Sequence, residues 1–248
     1  LARRRFFVDH VRHGAAEIAG EEALHLTRVL RVEPGQTYEI SDNERVYLAQ
    51  VEEARKSRVV FRVLEPVEAH PPPVEVTLAA ALVKFDRFEW MVEKATELGV
   101  ARIVPVETER SDKGLLDAAR KRVERWRRIA RESSQQSRRA RLPEICDPLR
   151  LRAYAPENFR LRYFFDEEAA TPFLRAAPAD RAPEDRVCVL TGPEGGWTAA
   201  EREHLTQSWT AVSLGPQILR AETAAIAAVA LVAAAWHAAG RPGIEPVP

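Results

Sequence analysis

The chain has 248 residues, 46% of them hydrophobic, enough for one large domain or two modest ones with a sizeable core. Its 37 Lys/Arg offset 37 Asp/Glu, so any charge-driven partner must be met by a local patch rather than by the whole surface. The cysteines, Cys146 and Cys188, lie far apart in apolar stretches without CxxC spacing. They read as buried free thiols of a reducing, cytoplasmic compartment, against a disulfide or a metal site.

The chain opens "LARRRFF" with no apolar segment behind the arginines, which predicts no secretory signal. Residues 1–70 read as a small β-rich domain. "TYEISD" and "RVYLAQVEE" alternate, "SRVVFRVLEP" forms a further strand, and "EEALHLTRVLR" is a short helix among them. Three prolines, 71 to 73, break both helix and central strand and predict an extended linker.

A second domain, 74–248, then alternates strand and helix. "VEVTLAAALV", "ARIVPVET", "LRYFFDE", "RVCVLTG" and "AVSLG" are strands. "RFEWMVEKATELG", a long basic helix, "TPFLRAA" and "AAEREHLTQS" are helices, the last with Thr198 and Glu201 at capping-box spacing. This order predicts an α/β domain with a mostly parallel sheet. The final helix, carrying "AAIAAVALVAAAW", is too short and alanine-rich for a bilayer span and reads as buried on several sides, in a core or a subunit interface.

Residues 120 to 141 hold ten Lys/Arg against two Glu. Such a run is either a solvated helix face or a phosphate-binding surface. "LTGPEGGWTAAE", 190 to 201, places three glycines between an apolar strand and a capped helix. It matches neither dinucleotide nor P-loop spacing, and by itself is either a connecting turn or a ligand loop. "SLGPQILRAETA" closes the next strand with the same Gly-Pro step. Two such loops side by side on one sheet edge would offer backbone groups to a flat heterocycle, with apolar contact from Leu214, Ile218 and Leu219. Glu194 and Glu222 would repel a phosphate, so a cationic adenine cofactor such as S-adenosylmethionine suits the charges better.

These residues carry a resemblance. "LTGPEGGWTAAE" and "LGPQILRAETA" resemble the paired loops of the SPOUT methyltransferases, in particular the ribosomal small-subunit RNA uracil-N3 methyltransferase family. "KFDRFEWMVEKATELGVARIVPVETERS", "RWRRIARESSQQSRRARLPEI" and "HLTRVLRVEPG" extend the likeness over nearly the whole chain. One departure is Gln217, where arginine is common in the family.

The resemblance implies an α/β fold of SPOUT type, a parallel sheet with a C-terminal trefoil knot, plus a small N-terminal PUA-like β-barrel. It implies S-adenosylmethionine as cofactor, no metal, and no membrane. The product would be N3-methyluridine in 16S ribosomal RNA, made on the assembled small subunit by a homodimer. On this reading Leu190, Thr191, Gly192, Pro193, Glu194, Gly195, Leu214, Gly215, Ile218, Leu219, Thr223 and Ala224 line the cofactor site. A bulky side chain at Gly195 is then expected to weaken cofactor binding about tenfold. Arg3, Arg4, Arg5, Arg28, Arg31, Lys84, Arg87, Arg138 and Arg139 are expected to face RNA phosphates, each being otherwise an exposed cation or an internal ion pair. Arg220 is the expected donor to a uracil oxygen and Glu222 the acceptor of the N3 proton, with Glu194 as rival base and helix capping as the alternative role of Glu222. Two other functions stay open: a SPOUT ribose 2′-O-methyltransferase, and a non-catalytic RNA-binding ribosome-assembly factor.

Overall fold

A computed structural model describes residues 4–69, 72–156 and 158–239. Arg3 and Pro71 lie outside the described residues. The chain divides into two compact units, Leu1–Pro71 with Arg131–Leu142, and Pro72–Ala130 with Pro143–Pro248. The first boundary coincides with the proline run. The return of Arg131–Leu142 to the first unit is an addition that the proline break does not announce.

The first unit is built on β1 (Arg5–Phe7), β2 (Val11–Arg12), β3 (Ala15–Ala19), α1 (Gly20–Arg28), β4 (Thr37–Ser41), β5 (Val46–Arg55) and β6 (Arg58–Val67). The six strands form one sheet in the order β1-β4-β5-β6-β3-β2. Only β1 and β4 pair in parallel; the other pairings are antiparallel. Inward side chains Phe6, Ile18, Ile40, Val51, Val59 and Phe61 bury with Leu26 of α1 as one core. β1 to β3 are too short for periodicity to reveal in sequence.

The residues 131–142 are held to this unit by buried or half-buried charge. Arg131 donates to both carboxylate oxygens of Glu22, at 3.0 and 2.8 Å, and to the Phe7 carbonyl. Gln135 donates to the same Glu22 at 3.0 Å, and Ser41 to the Ala140 carbonyl at 2.6 Å.

The second unit contains β7 (Glu75–Ala81), α2 (Phe85–Glu97), β8 (Arg102–Glu107), α3 (Leu115–Arg120) and the start of α4 (Val123–Gln136). After these come β9 (Glu144–Ile145), β10 (Leu149–Arg150), β11 (Leu161–Phe165), α5 (Phe173–Ala176), β12 (Arg186–Thr191), α6 (Ala199–Thr206), β13 (Thr210–Val212) and α7 (Ala221–Ala239). The sheet order is β10-β8-β7-β12-β11-β13, with β9 beside β8, and every pairing is parallel. A parallel sheet is covered on both faces, which is why β7 and β12 are apolar runs rather than alternating ones. Val187 and Val189 face the cluster containing Phe88, Trp126, Val229 and Trp236, whereas Cys188 and Leu190 face the one containing Phe164, Trp197 and Trp209. The period of two along the strand decides which residues can reach the sheet's upper edge and which sink into a core.

The capping box at α6 is present: the Thr198 hydroxyl accepts from Glu201 N–H and the Glu201 carboxylate accepts from Thr198 N–H. α7 is longer than its apolar stretch suggests, and by length and composition alone it could cross a membrane. It buries one stripe, Ala225, Ala228, Val229, Val232 and Trp236, rather than all its sides. Ala227, Ala230 and Leu231 stay half-buried, and Ala234 and Ala238 are exposed.

Candidate active site

β11 lies between β12 and β13, so the two Gly-Pro loops are not on adjacent strands. This corrects the side-by-side expectation and brings a third loop into the site. The chain leaves β11 at Asp166, β12 at Gly192 and β13 at Ser213, all at the carboxyl edge of the sheet, where open α/β sheets bind ligands. The three loops and the first turn of α7 border a cleft open to solvent.

The loop after β12 is shaped from below. Trp197 is 1% exposed, and its indole N–H donates to the Phe165 carbonyl at 2.8 Å. The indole lies against Gly192, where a Cβ would stand 3.0 Å from Trp197 Cε2. Gly196 takes φ +68°, and its N–H donates to Pro193 O at 2.9 Å, closing the turn. The same loop is braced by the segment after β8: Glu109 N–H donates to Glu201 Oε1 at 2.8 Å, and the Thr198 hydroxyl to Glu109 Oε2 at 2.9 Å.

The loop after β11 contributes carboxylates. Asp166 is buried and receives a two-pronged bond from Arg202, Nε to Oδ2 at 2.7 Å and Nη2 to Oδ1 at 3.1 Å. Glu167 is half-exposed beside Gly196, where a Cβ would stand 2.6 Å from its Oε1. Among the described residues lining the cleft there is no Lys, Arg or His. Its two carboxylates, Asp166 and Glu167, are both paired with Arg202 from behind, and its apolar walls come from Trp197, Leu214, Ile218 and Leu219.

Of the expected cofactor residues, Thr191, Gly192, Pro193, Leu214, Gly215, Ile218, Leu219 and Ala224 line this cleft. Leu190 is fully buried among the core residues below it. Gly195 faces outward, its Cβ direction 3.3 Å from Arg110, and Thr223 lies on the exposed side of α7. Glu194 points away into an ion pair with Arg87. The sequence reading missed Phe165, Asp166, Glu167, Gly196, Trp197, Gln217 and Ala221, which also line the cleft. The acidic end of "LRYFFDE" was the available signal, but its place between the other two strands is a matter of topology.

Glu222, in the first turn of α7, is 6% exposed. Its Oε2 has no hydrogen-bond partner, and Oε1 stands 3.9 Å from Arg87 Nε. The carboxylate lines a small side cavity with Phe88 and Met91 that shares Thr191, Gly192 and Ala221 with the main cleft. Arg220 is exposed just before it.

The expected RNA-facing cations separate. Arg28, Arg31 and Lys84 are exposed, and Arg4 is half-buried. Arg5 is an internal group: it is 6% exposed and donates to Glu39 Oε2 through Nε and Nη2, at 3.0 and 2.8 Å. Arg138 reaches the other oxygen of Glu39, so the two arginines share one buried carboxylate. Arg139 is half-buried, and desolvation pushes its guanidinium down to about 10. Among the described residues no cluster of three or more His, Cys, Asp or Glu could hold a metal ion.

Comparison with known proteins agrees with this layout. Residues 70–233 match the family described as an RNA methyltransferase domain, and residues 18–64 match an RNA methyltransferase PUA domain. The chain is 31% identical over 247 residues to ribosomal RNA small subunit methyltransferase E of Bacillus subtilis, covering 92% of this chain and 95% of that one. It is 31% identical over 232 residues to the protein of that name in Aquifex aeolicus, covering 91% and 97%. The crystal structure of a ribosomal RNA small subunit methyltransferase E from Neisseria gonorrhoeae, bound to S-adenosyl methionine, superposes with a TM-score of 0.84 at 26% identity, covering 95% of this chain and 98% of that one.

Proposed function

We infer that this chain, which belongs to the ribosomal RNA small subunit methyltransferase E family, transfers a methyl group from S-adenosylmethionine to N3 of one uridine in small-subunit ribosomal RNA. The observation that carries the reading is the cleft at the ends of β11, β12 and β13, with the buried carboxylate of Glu222 in a side cavity that shares Thr191, Gly192 and Ala221 with it. When bound, the cofactor supplies an activated methyl group on a sulfonium. The apolar walls and the backbone of the glycine loops take its flat ring, and Trp197 gives the loop after β12 a rigid floor.

Uridine N3 carries a proton and sits on the pairing edge of the base, so the base is taken unpaired or flipped out. Glu222 accepts that proton, directly or through water, and Arg220 donates to a uracil oxygen where negative charge gathers. Glu222 Oε2 accepts no hydrogen bond, from the α7 backbone or elsewhere, which favours this role over capping. The N-terminal unit serves as the PUA-like RNA-binding barrel, with Arg28 and Arg31 on phosphates, and Lys84 does the same from the catalytic unit. The sheet is of the SPOUT type, its C-terminal part threaded as a trefoil knot. A second copy covers the half-exposed alanine face of α7, giving a homodimer. Free Cys146 and Cys188 fit a cytoplasmic enzyme acting on assembled small subunits.

The experiment is single-turnover methylation of unmodified small subunits by Glu222→Gln and Arg220→Ala. Each variant is expected to bind cofactor almost normally and to lose about 10²-fold or more in rate. A full rate for Glu222→Gln across pH contradicts the base assignment and moves the test to Glu194→Gln.

A further inference from the structure

Arg87, in the first turn of α2, holds two carboxylates that come from different parts of the site. Its Nη1 donates to Glu194 Oε1 at 2.8 Å, and its Nε stands 3.9 Å from Glu222 Oε1. Glu194 rides on the loop after β12, which lines the cleft through Gly192 and Pro193. Glu222 roots α7, and Arg87 is the cation paired with it among the described residues. A carboxylate at 6% exposure with one oxygen unpartnered depends on a nearby opposite charge to offset its desolvation. Arg87 is itself partly exposed, and its guanidinium lies between an exposed and a buried carboxylate.

We propose that Arg87 is a positioning residue that couples the cofactor loop to the buried carboxylate of Glu222. Its guanidinium fixes where Glu194, and with it the Gly192–Gly196 loop, stands against the cleft. The same guanidinium compensates Glu222 from the other side. Without it, Glu222 loses its paired cation among the described residues, and the side cavity it lines shares Thr191 and Gly192 with the loop that contacts the cofactor. Cofactor affinity thus depends on a residue that does not line the cleft. This assignment rests on reading the cleft as the S-adenosylmethionine site.

The test is calorimetric titration of Arg87→Met, Arg87→Lys, Glu222→Gln and the double variant Arg87→Met/Glu222→Gln with S-adenosylmethionine, with thermal unfolding measured alongside. Arg87→Met is expected to raise Kd about tenfold, and Arg87→Lys, which keeps the cation, to stay within about threefold of wild type. The double variant should lose less than the sum of the two single changes, because a neutral amide at 222 needs no counter-ion while Glu194 still lacks its partner. An unchanged Kd in Arg87→Met, or effects that simply add in the double variant, overturns the proposal. A merely structural role would lower the unfolding temperature and leave Kd where it was. Single-turnover rates separate this claim from the functional reading. A double variant that loses less affinity than the sum but does not regain turnover supports both; wild-type turnover in Glu222→Gln removes the base assignment and leaves the coupling standing. Absence of S-adenosylmethionine binding by the wild-type protein overturns the cofactor reading and this proposal together.

Discussion

Replacing Gly192 by alanine adds one methyl group where there is no room for it. The new Cβ would stand 3.0, 3.2 and 3.3 Å from Trp197 Cε2, Cζ2 and Nε1. Comfortable carbon–carbon contact begins near 3.5 Å, so the overlap is about half an ångström. Trp197 cannot easily retreat: it is 1% exposed, it donates to the Phe165 carbonyl at 2.8 Å, and its ring meets Phe164 edge-on at 6.2 Å. The loop backbone must therefore lift toward the cleft. Overpacking of this kind costs about 1–3 kcal/mol, and cofactor binding would have to restore the loop against it. The expected result is a rise in Kd for S-adenosylmethionine of about 5- to 150-fold, read by calorimetry. Gly195→Ala is the control. It meets the exposed Arg110 side chain at 3.3 Å and lies off the cleft, so its effect should stay within about twofold. Wild-type affinity in Gly192→Ala would refute the placement of the cofactor over this loop.

Three further outcomes follow from the same structure. Arg28→Gln and Arg31→Gln should each weaken binding to small subunits and flatten the log K against log[salt] line by about 0.7 to 1; an unchanged slope would assign both cations to solvent. Ala234→Glu, on the exposed side of α7, should convert a dimer to a monomer in sedimentation velocity while leaving the fold intact, and a variant that sediments as wild type would put the contact elsewhere. Burial pushes the Cys146 and Cys188 thiols up to about 11 and about 12, so at pH 8 both stay protonated. Thiol reagents should modify the native protein about a hundredfold more slowly than the urea-unfolded chain, and equal rates would contradict that burial.

What the sequence revealed was what is local. Thr198 and Glu201 cap α6 through three residues of chain, so spacing alone exposed them. The apolar runs of β7 and β12 announced buried parallel strands because burial on both faces removes alternation. The glycines of both loops stood out because close approach and positive φ demand them, as at Gly196 and Gly215. What stayed hidden depends on residues distant in sequence. Nothing local says that β11 sits between β12 and β13, and so Asp166 and Glu167 were not expected in the cleft. The same holds for Arg5 and Arg138: nothing local shows that Glu39, 34 and 99 residues away, pairs with both, although Arg138 stays exposed. At Leu190 the pleat turns the side chain into the core, which the motif alone does not show.

The central claim is that this protein methylates a uracil nitrogen in small-subunit RNA. Its most direct test is incubation with small ribosomal subunits lacking the modification and methyl-labelled S-adenosylmethionine, followed by nuclease digestion and mass analysis of the labelled nucleoside. The account predicts label in small-subunit RNA as N3-methyluridine, at about one group per subunit. Label recovered as a 2′-O-methylated ribose, or cofactor binding without any transfer to RNA, would contradict it.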